Sequence, residues 1–170
     1  MARVYLISEQ TLKTNSIVNN NVDSMYIMPT VEYAQDAGLQ PIIGTKLYNK
    51  LMDLVADGSI SGATDYKYLL DEYVTAYLIN KVTADIQIPL LYKLRNQGLI
   101  QQTGENTYVP SLKDAQYVIQ HYQNQADFYA NRMSDYLCAN RTKYPEYCST
   151  DSCADMPSNK DGYSTGIYLG

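Results

Sequence analysis

The sequence is 170 residues long, with 13 lysines and arginines against 18 acidic residues, a formal net charge of -5 and a pI near 4.7. Such a length allows one domain to bury a hydrophobic core without disulfides or a metal. The basic residues are scattered, which argues against a nucleic-acid-binding surface, since that needs a basic patch. The 18 tyrosines suit both a core and a surface that a partner covers.

The three cysteines, Cys138, Cys148 and Cys153, favour an intracellular chain with free thiols. A zinc site needs four ligands, and the only histidine, His121, is far in sequence from the last two cysteines. The first ten residues lack the apolar core of a signal peptide, and no apolar run approaches membrane-spanning length. We therefore expect a soluble protein, without metal or cofactor, that is assembled in a cytoplasm.

The N-terminal part predicts short helices bounded by caps, proline and glycine. Ser8 is a plausible N-cap for one or two helical turns, and Asp23 can cap a second helix. Pro29 cannot donate a helical hydrogen bond, so this helix is expected to restart or bend there. Gly38 occupies the position of a left-handed residue at the helix C-terminus.

The stretch QPIIGTKLYNKL (residues 40–51) combines proline and glycine with an amphipathic helical pattern. Pro41 suits the first position of a helix. Gly44 lies either within the helix, where its lack of a side chain allows another element to pack closely, or at a cap. Because glycine in a helix costs about 0.5–1 kcal/mol relative to alanine, we expect close packing or a boundary at Gly44. No phosphate-loop context surrounds it.

A long helix is predicted from Thr64 or Asp65, because apolar residues follow at spacings of three and four. Pro89 is expected to kink or break this helix near Asp85, since its ring clashes with the carbonyl four residues earlier. The helical pattern then resumes through LLYKLRNQ and is predicted to stop at Gly98.

Residues 99–109 are typical of a small β-hairpin centred on Gly104. Ser111 and Asp114 resemble a capping box that opens the last helix, which is predicted to end near residues 140–143. The predicted buried stripe of this helix consists of Ala115, Val118, Ile119, Tyr122, Ala126, Tyr129, Met133, Tyr136 and Leu137.

Residues 148–170 are predicted to form a flexible, extended C-terminal arm, since serine, aspartate, glycine and proline dominate them. The arm nevertheless contains the apolar stretch STGIYLG, which is unusual for a solvating tail. Extended, it could add a strand to a sheet edge on a neighbouring subunit or a tail protein, while the alternative is a merely solubilising tail. The predicted partner-binding residues are Tyr163, Gly166, Ile167, Tyr168 and Leu169.

No catalytic signature is present, so we expect a protein that is not an enzyme. His121 flanks the buried stripe of the last helix, and Asp71 and Glu72 lie beside the polar face of the long helix. None of them has a recognisable second catalytic group. The sequence thus predicts an all-α fold, a mainly helical bundle with a small hairpin, divided into a helical domain (1–147) and the arm (148–170).

Four stretches resemble the head–tail connector proteins of tailed bacteriophages, most closely those of Bacteroides phages and of the crAss-like group. These stretches are VDSMYIMPTVEYAQDAGLQPIIGTKLYNKL, LLDEYVTAYLI, LYKLRNQGLI and FYANRMSDYLCANRTKYPEY. They cover most of residues 22–147. Within them, the motif consists of Gln40–Gly44 with Leu47 and Tyr48, followed by Tyr-Leu-Cys and Tyr-Pro-Glu-Tyr near the end of the last helix.

The resemblance implies a structural virion protein at the head–tail junction. Copies of the chain, expected to number twelve, would form a ring that joins the portal protein to the next tail or ring protein. Genomic DNA would pass through the channel of this ring without specific binding, which the acidic balance favours. The alternative function is a cellular α-helical interaction module without catalytic activity.

Overall fold

The computed structural model describes residues 3–96, 98–101 and 112–147, which are mainly helical. The helices are α1 (Glu9–Asn15), α2 (Ser24–Tyr33), α3 (Gln40–Ile43), α4 (Thr45–Ala56), α5 (Thr64–Leu69), α6 (Thr75–Asp85), α7 (Gln87–Leu91) and α8 (Leu112–Ala139). Two strands, β1 (Tyr92–Arg95) and β2 (Gly98–Gln101), form an antiparallel hairpin. The predicted all-α fold class is confirmed.

Two long helical segments each contain a stretch of π-helix, in which backbone hydrogen bonds span five residues. Ala34–Leu39 joins α2 to α3, and Leu70–Val74 joins α5 to α6. The N–H of Gln40, for example, donates to the carbonyl of Gln35. Because a π turn inserts into a helix without ending it, each segment stays helical throughout.

Several predicted helix ends are confirmed. Ser8 is the N-cap of α1, where its hydroxyl accepts a hydrogen bond from the N–H of Thr11 at 3.0 Å. Asp23 precedes α2, although its side chain makes no capping hydrogen bond. The long helical segment begins at Thr64 and ends at Asp85, four residues before Pro89. These ends depend on local residues, which explains why the sequence predicts them.

The prediction at Gly38 is wrong. Gly38 does not end a helix in a left-handed conformation, but continues the right-handed helix inside the first π stretch. A Cβ atom at this position would lie 2.6 Å from the hydroxyl oxygen of Tyr77 on α6. The glycine is therefore needed for a close contact between two helices. Pro29 does not restart a helix either, since it lies within α2.

Gly44 forms the boundary between α3 and α4. Its N–H donates to the carbonyl of Gln40 at 2.8 Å, and its carbonyl accepts from the N–H of Tyr48 at 3.0 Å. Its φ of 81° and ψ of 154° belong to a region that glycine alone readily adopts. The cap interpretation is confirmed and the position within a helix is wrong. Gly44 is buried, and its role in close packing stays a prediction.

We expect Gly44→Ala to lower the free energy of unfolding by about 1–2 kcal/mol, because a Cβ atom strains this backbone conformation. Urea denaturation of the purified chain measures the change. Gly62→Ala is the matched control, since Gly62 has no positive φ and a Cβ atom added there would have open space within 4 Å. Equal unfolding midpoints for the two variants would contradict the boundary role.

The hairpin begins earlier than the sequence predicts. Residues 92–95 form β1 instead of continuing a helix, and Gly98 begins β2 with a φ of 104° instead of ending that helix. Arg95 pairs with Gly98, so the chain reverses between these two residues. The predicted turn at Gly104 and the predicted cap Ser111 lie outside the described residues.

The core forms around α6, which packs against α8, α2 and the first π stretch. Val118, which spacing places on the buried stripe of α8, is exposed instead. No helix among residues 3–96 and 112–147 is long and apolar enough to cross a membrane. The largest fully buried side chains are Leu12, Ile27, Leu39, Ile43, Leu47, Leu51, Leu69, Leu78, Ile86, Met133, Leu137 and Tyr144.

Candidate functional site

The polar candidates from the sequence, His121, Asp71 and Glu72, are all exposed. His121 is exposed on α8, with its Nε2 atom 3.0 Å from the Nε2 atom of Gln125. Asp71 forms an ion pair with Lys67 one helical turn away, and Glu72 is exposed. Among the described residues, no three histidine, cysteine or acidic side chains form a group that could hold a metal ion.

Cys138 is a free, exposed cysteine whose sulfur lies 3.9 Å from the hydroxyl oxygen of Tyr147. This contact places the last described residue beside the C-terminal end of α8. Cys148 and Cys153 lie outside the described residues, so the expectation of free thiols at these two positions stays a prediction.

Five tyrosines form an aromatic cluster. It joins α5 and the second π stretch to the C-terminal part of α8 and the residues that follow it. Tyr73 stacks on Tyr136 with ring centroids 4.4 Å apart, and Tyr68 contacts both rings. Tyr66 meets Tyr144 edge-on at 5.5 Å. Stacked and edge-on pairs each contribute about 0.5–1.5 kcal/mol beyond their buried area. The cluster therefore stabilises the packing of α8 on the long helical segment.

Hydrogen bonds fix the last described residues to α5. The Tyr144 hydroxyl donates to the backbone carbonyl of Asp65 at 2.8 Å, and the Tyr66 hydroxyl donates to the Glu146 carboxylate at 2.9 Å. Burial, and then this carboxylate, raise the pKa of Tyr66 to about 12, so the phenol remains a donor at neutral pH. Tyr147, the point from which the predicted arm would extend, is buried.

An open apolar groove is the main candidate functional site. It has a volume of about 490 Å³ and lies between α2, the α6–α7 junction and α8. Three large apolar side chains remain exposed on it: Met25 by 69%, Tyr33 by 61% and Ile88 by 47%. Neighbouring exposed apolar side chains of this size are typical of a surface that a partner covers. We call this feature the apolar groove.

The α2 wall of the groove follows from a spacing of four residues. Met25, Pro29 and Tyr33 lie on one face of α2 and line the groove, whereas Ile27 and Val31 are buried in the core. The helix is therefore apolar on two faces, and only one of them is needed for the fold. This repeat is a signal that sequence reasoning missed.

One ion pair and one contact between a cation and an aromatic ring lie at the apolar groove. Asp85 lines the groove, and the Nζ atom of Lys81 lies 3.0 Å from its Oδ2 atom. The Nζ atom of Lys93 lies 5.3 Å from the ring centroid of Tyr26, another lining residue. The carboxylate is thus neutralised by its neighbour, while a cation lies against an aromatic wall of the groove.

A second exposed aromatic surface lies on another side of α8. Phe128 is 63% exposed and Tyr117 is 79% exposed. At 3.6 residues per turn, Phe128 lies about 180° around α8 from Ile119, which lines the apolar groove. We call Tyr117, His121, Asn124 and Phe128 the outer α8 face. The apolar groove and the outer α8 face therefore point in different directions.

Of the predicted site residues, Gly44 alone lies in the part of the chain that the structure describes. Gly44 is a helix boundary, whereas the predicted arm residues at 163 and 166–169 lie outside the described residues. Their role in partner binding stays a prediction. The apolar groove combines segments that are distant in the chain, so no local motif marks it as a unit.

The fold is mainly helical and carries an open apolar groove on its surface. A model of a family of unknown function (DUF6712) matches residues 39–156. Because this match covers more than half of the 170 residues, the chain belongs to that family. The matched range includes the α6–α8 side of the groove but not its α2 wall. No curated protein and no solved structure gave a significant match.

Proposed function

We propose that the chain is a structural subunit of a ring at the head–tail junction of a tailed bacteriophage. In this role it joins the portal protein to the next tail or ring protein and extends the DNA channel. The observation that supports this function best is the presence of two surfaces that carry exposed aromatic or aliphatic side chains and point in different directions. The sequence resemblance to connector proteins supplies the class of assembly.

A ring requires each subunit to carry two different binding surfaces. A cyclic ring is built from head-to-tail contacts, in which one patch of each copy binds a different patch of the next copy. The apolar groove and the outer α8 face meet this requirement, because they lie on opposite sides of α8. A dimer with twofold symmetry needs only one self-complementary patch and leaves the second surface unexplained.

The charge balance fits a channel through which DNA slides. With a formal net charge of -5, the subunit as a whole repels phosphate groups, which weakens non-specific contact with the DNA backbone. The proposed partners are further copies of this chain, the portal protein and a tail-side protein. No catalytic step is part of the proposed function.

Size-exclusion chromatography with light scattering and negative-stain microscopy tests this proposal on the full chain. We expect a closed ring, either alone or after addition of a phage portal protein. A stable monomer or dimer that ignores the portal would contradict the ring and favour the cellular interaction module.

Phe128→Glu is expected to abolish ring formation while leaving the subunit folded, because it places a charge on the outer α8 face without touching the core. Circular dichroism checks the fold, and light scattering checks the mass. Ile17→Glu is the matched control, since Ile17 is also exposed but lies in neither apolar surface. Rings of Phe128→Glu with wild-type mass and yield would exclude this face from the subunit contact.

A further inference from the structure

We propose that the segment 163–169 binds in the apolar groove of its own chain while the subunit is unassembled. The groove is open and apolar, and this segment supplies the apolar stretch of the predicted arm. The inference goes beyond the proposed ring function, because it concerns the isolated subunit and does not depend on what that subunit later assembles into.

The chemistry of the two surfaces matches. The groove exposes Met25, Tyr33 and Ile88, whose burial under a partner segment is favourable because it removes apolar surface from water. Ile167 and Leu169 offer aliphatic side chains for this purpose. A dry cavity of about 150 Å³ holds a benzene ring, so the groove volume of about 490 Å³ leaves room for about three side chains of that size.

The connecting chain is long enough to reach the groove. The side chain of Tyr147 lies beside Cys138, since the Tyr147 hydroxyl oxygen is 3.9 Å from the Cys138 sulfur. Gln123, which lines the groove, lies 15 residues before Cys138 on the same helix, a distance of about 22 Å along its axis. The 15 residues 148–162 span at most about 50 Å when fully extended.

The predicted flexibility of this tether favours binding within one chain. A flexible chain of 15 residues has a root-mean-square end-to-end distance of about 19–23 Å, close to the length that must be spanned. Effective concentration is highest when these two lengths match, and it reaches the millimolar range for short tethers. At micromolar protein, the groove therefore meets its own segment far more often than that of another copy.

Charge also favours this contact. The tether 148–162 contains Asp151, Asp155 and Asp161 against Lys160 alone, so it is acidic. The ammonium group of Lys93 lies against the Tyr26 wall of the groove, where it can attract an acidic chain that passes nearby.

A tryptophan probe tests the contact, because the natural chain has no tryptophan. Tyr33→Trp places a single indole on the groove in an otherwise complete chain. If the segment covers the groove, acrylamide quenching of this indole should increase at least about two-fold when Ile167→Asp and Leu169→Asp are added, because the apolar contact is lost.

Two controls separate this contact from general effects of charge or folding. Ser164→Asp and Thr165→Asp add the same two charges to the same segment but keep its aliphatic side chains, and they should leave quenching of the groove indole unchanged. Ile17→Trp places the indole at an exposed site outside the groove, where the Ile167→Asp and Leu169→Asp changes should have no effect.

Binding within one chain also predicts that quenching is independent of protein concentration between about 0.1 and 10 µM, well below the effective concentration of the tether. Protection that appears only as the concentration rises, and that Ile167→Asp and Leu169→Asp abolish, would overturn the proposal in favour of the segment of a second copy. If the groove indole is quenched equally with and without Ile167→Asp and Leu169→Asp, this segment is not the occupant of the groove.

Discussion

Tyr144→Ala is expected to lower the free energy of unfolding by about 3–5 kcal/mol, as truncation of a large buried aromatic side chain does. The Tyr144 ring is fully buried and packs against Tyr66 and Tyr136 with centroids 5.5 and 5.9 Å away. Truncation also leaves the backbone carbonyl of Asp65 without the phenol hydrogen bond. Urea denaturation followed by far-ultraviolet circular dichroism measures this change.

Two further variants show which part of this effect is due to packing. Tyr144→Phe keeps the ring and removes the hydroxyl, so it should cost only about 0.5–1.5 kcal/mol. Tyr117→Ala removes a tyrosine that is largely exposed on the same helix, and it should change stability by less than about 0.5 kcal/mol. If Tyr144→Ala costs no more than Tyr117→Ala, the aromatic cluster does not fix the end of α8.

Helix starts could be predicted from the sequence because their signals are local. Ser8 caps α1 through its hydroxyl, and Asp23 occupies the N-cap position of α2 without a capping hydrogen bond. The break before Pro89 follows from the geometry of proline itself. The strand at residues 92–95 also had a local signal, since Tyr-Lys-Leu-Arg alternates apolar and polar residues. The run of leucines before it favours a helix, and that pattern led to the wrong prediction.

The candidate site could be predicted only in part. The abundance of tyrosine suits both a core and a surface that a partner covers. The repeat Met25, Pro29, Tyr33, which sequence reasoning missed, supplies one wall of the apolar groove. The other walls come from Ile88 and Ile119, which tertiary packing alone brings to the same place. A sequence pattern describes the face of one helix but not which faces of several helices remain uncovered.

Gly38 shows the same limit, because its partner is 39 positions away in the chain. We expect Gly38→Ala to lower the free energy of unfolding by about 1–3 kcal/mol, the usual cost of overpacking. The added Cβ atom would lie 2.6 Å from the Tyr77 hydroxyl oxygen, well inside van der Waals contact. Since Tyr77 is buried, its ring has little room to move away. Thermal and urea unfolding of the variant measure the loss.

When Tyr77→Phe is present, Gly38→Ala should no longer lower the free energy of unfolding. Without the hydroxyl oxygen, the nearest atoms to the new Cβ are the Cε atom of Lys81 at 3.5 Å and the ring Cζ atom at 3.6 Å, which are ordinary contacts. Alanine is favoured over glycine in a helix by about 0.5–1 kcal/mol, so Gly38→Ala should be neutral or stabilising when Tyr77→Phe is present. A double-mutant cycle isolates this coupling from the separate effect of Tyr77→Phe. If Gly38→Ala costs the same in both backgrounds, the contact with the Tyr77 hydroxyl is not the reason for glycine at this position, and a backbone requirement of the π stretch must account for it.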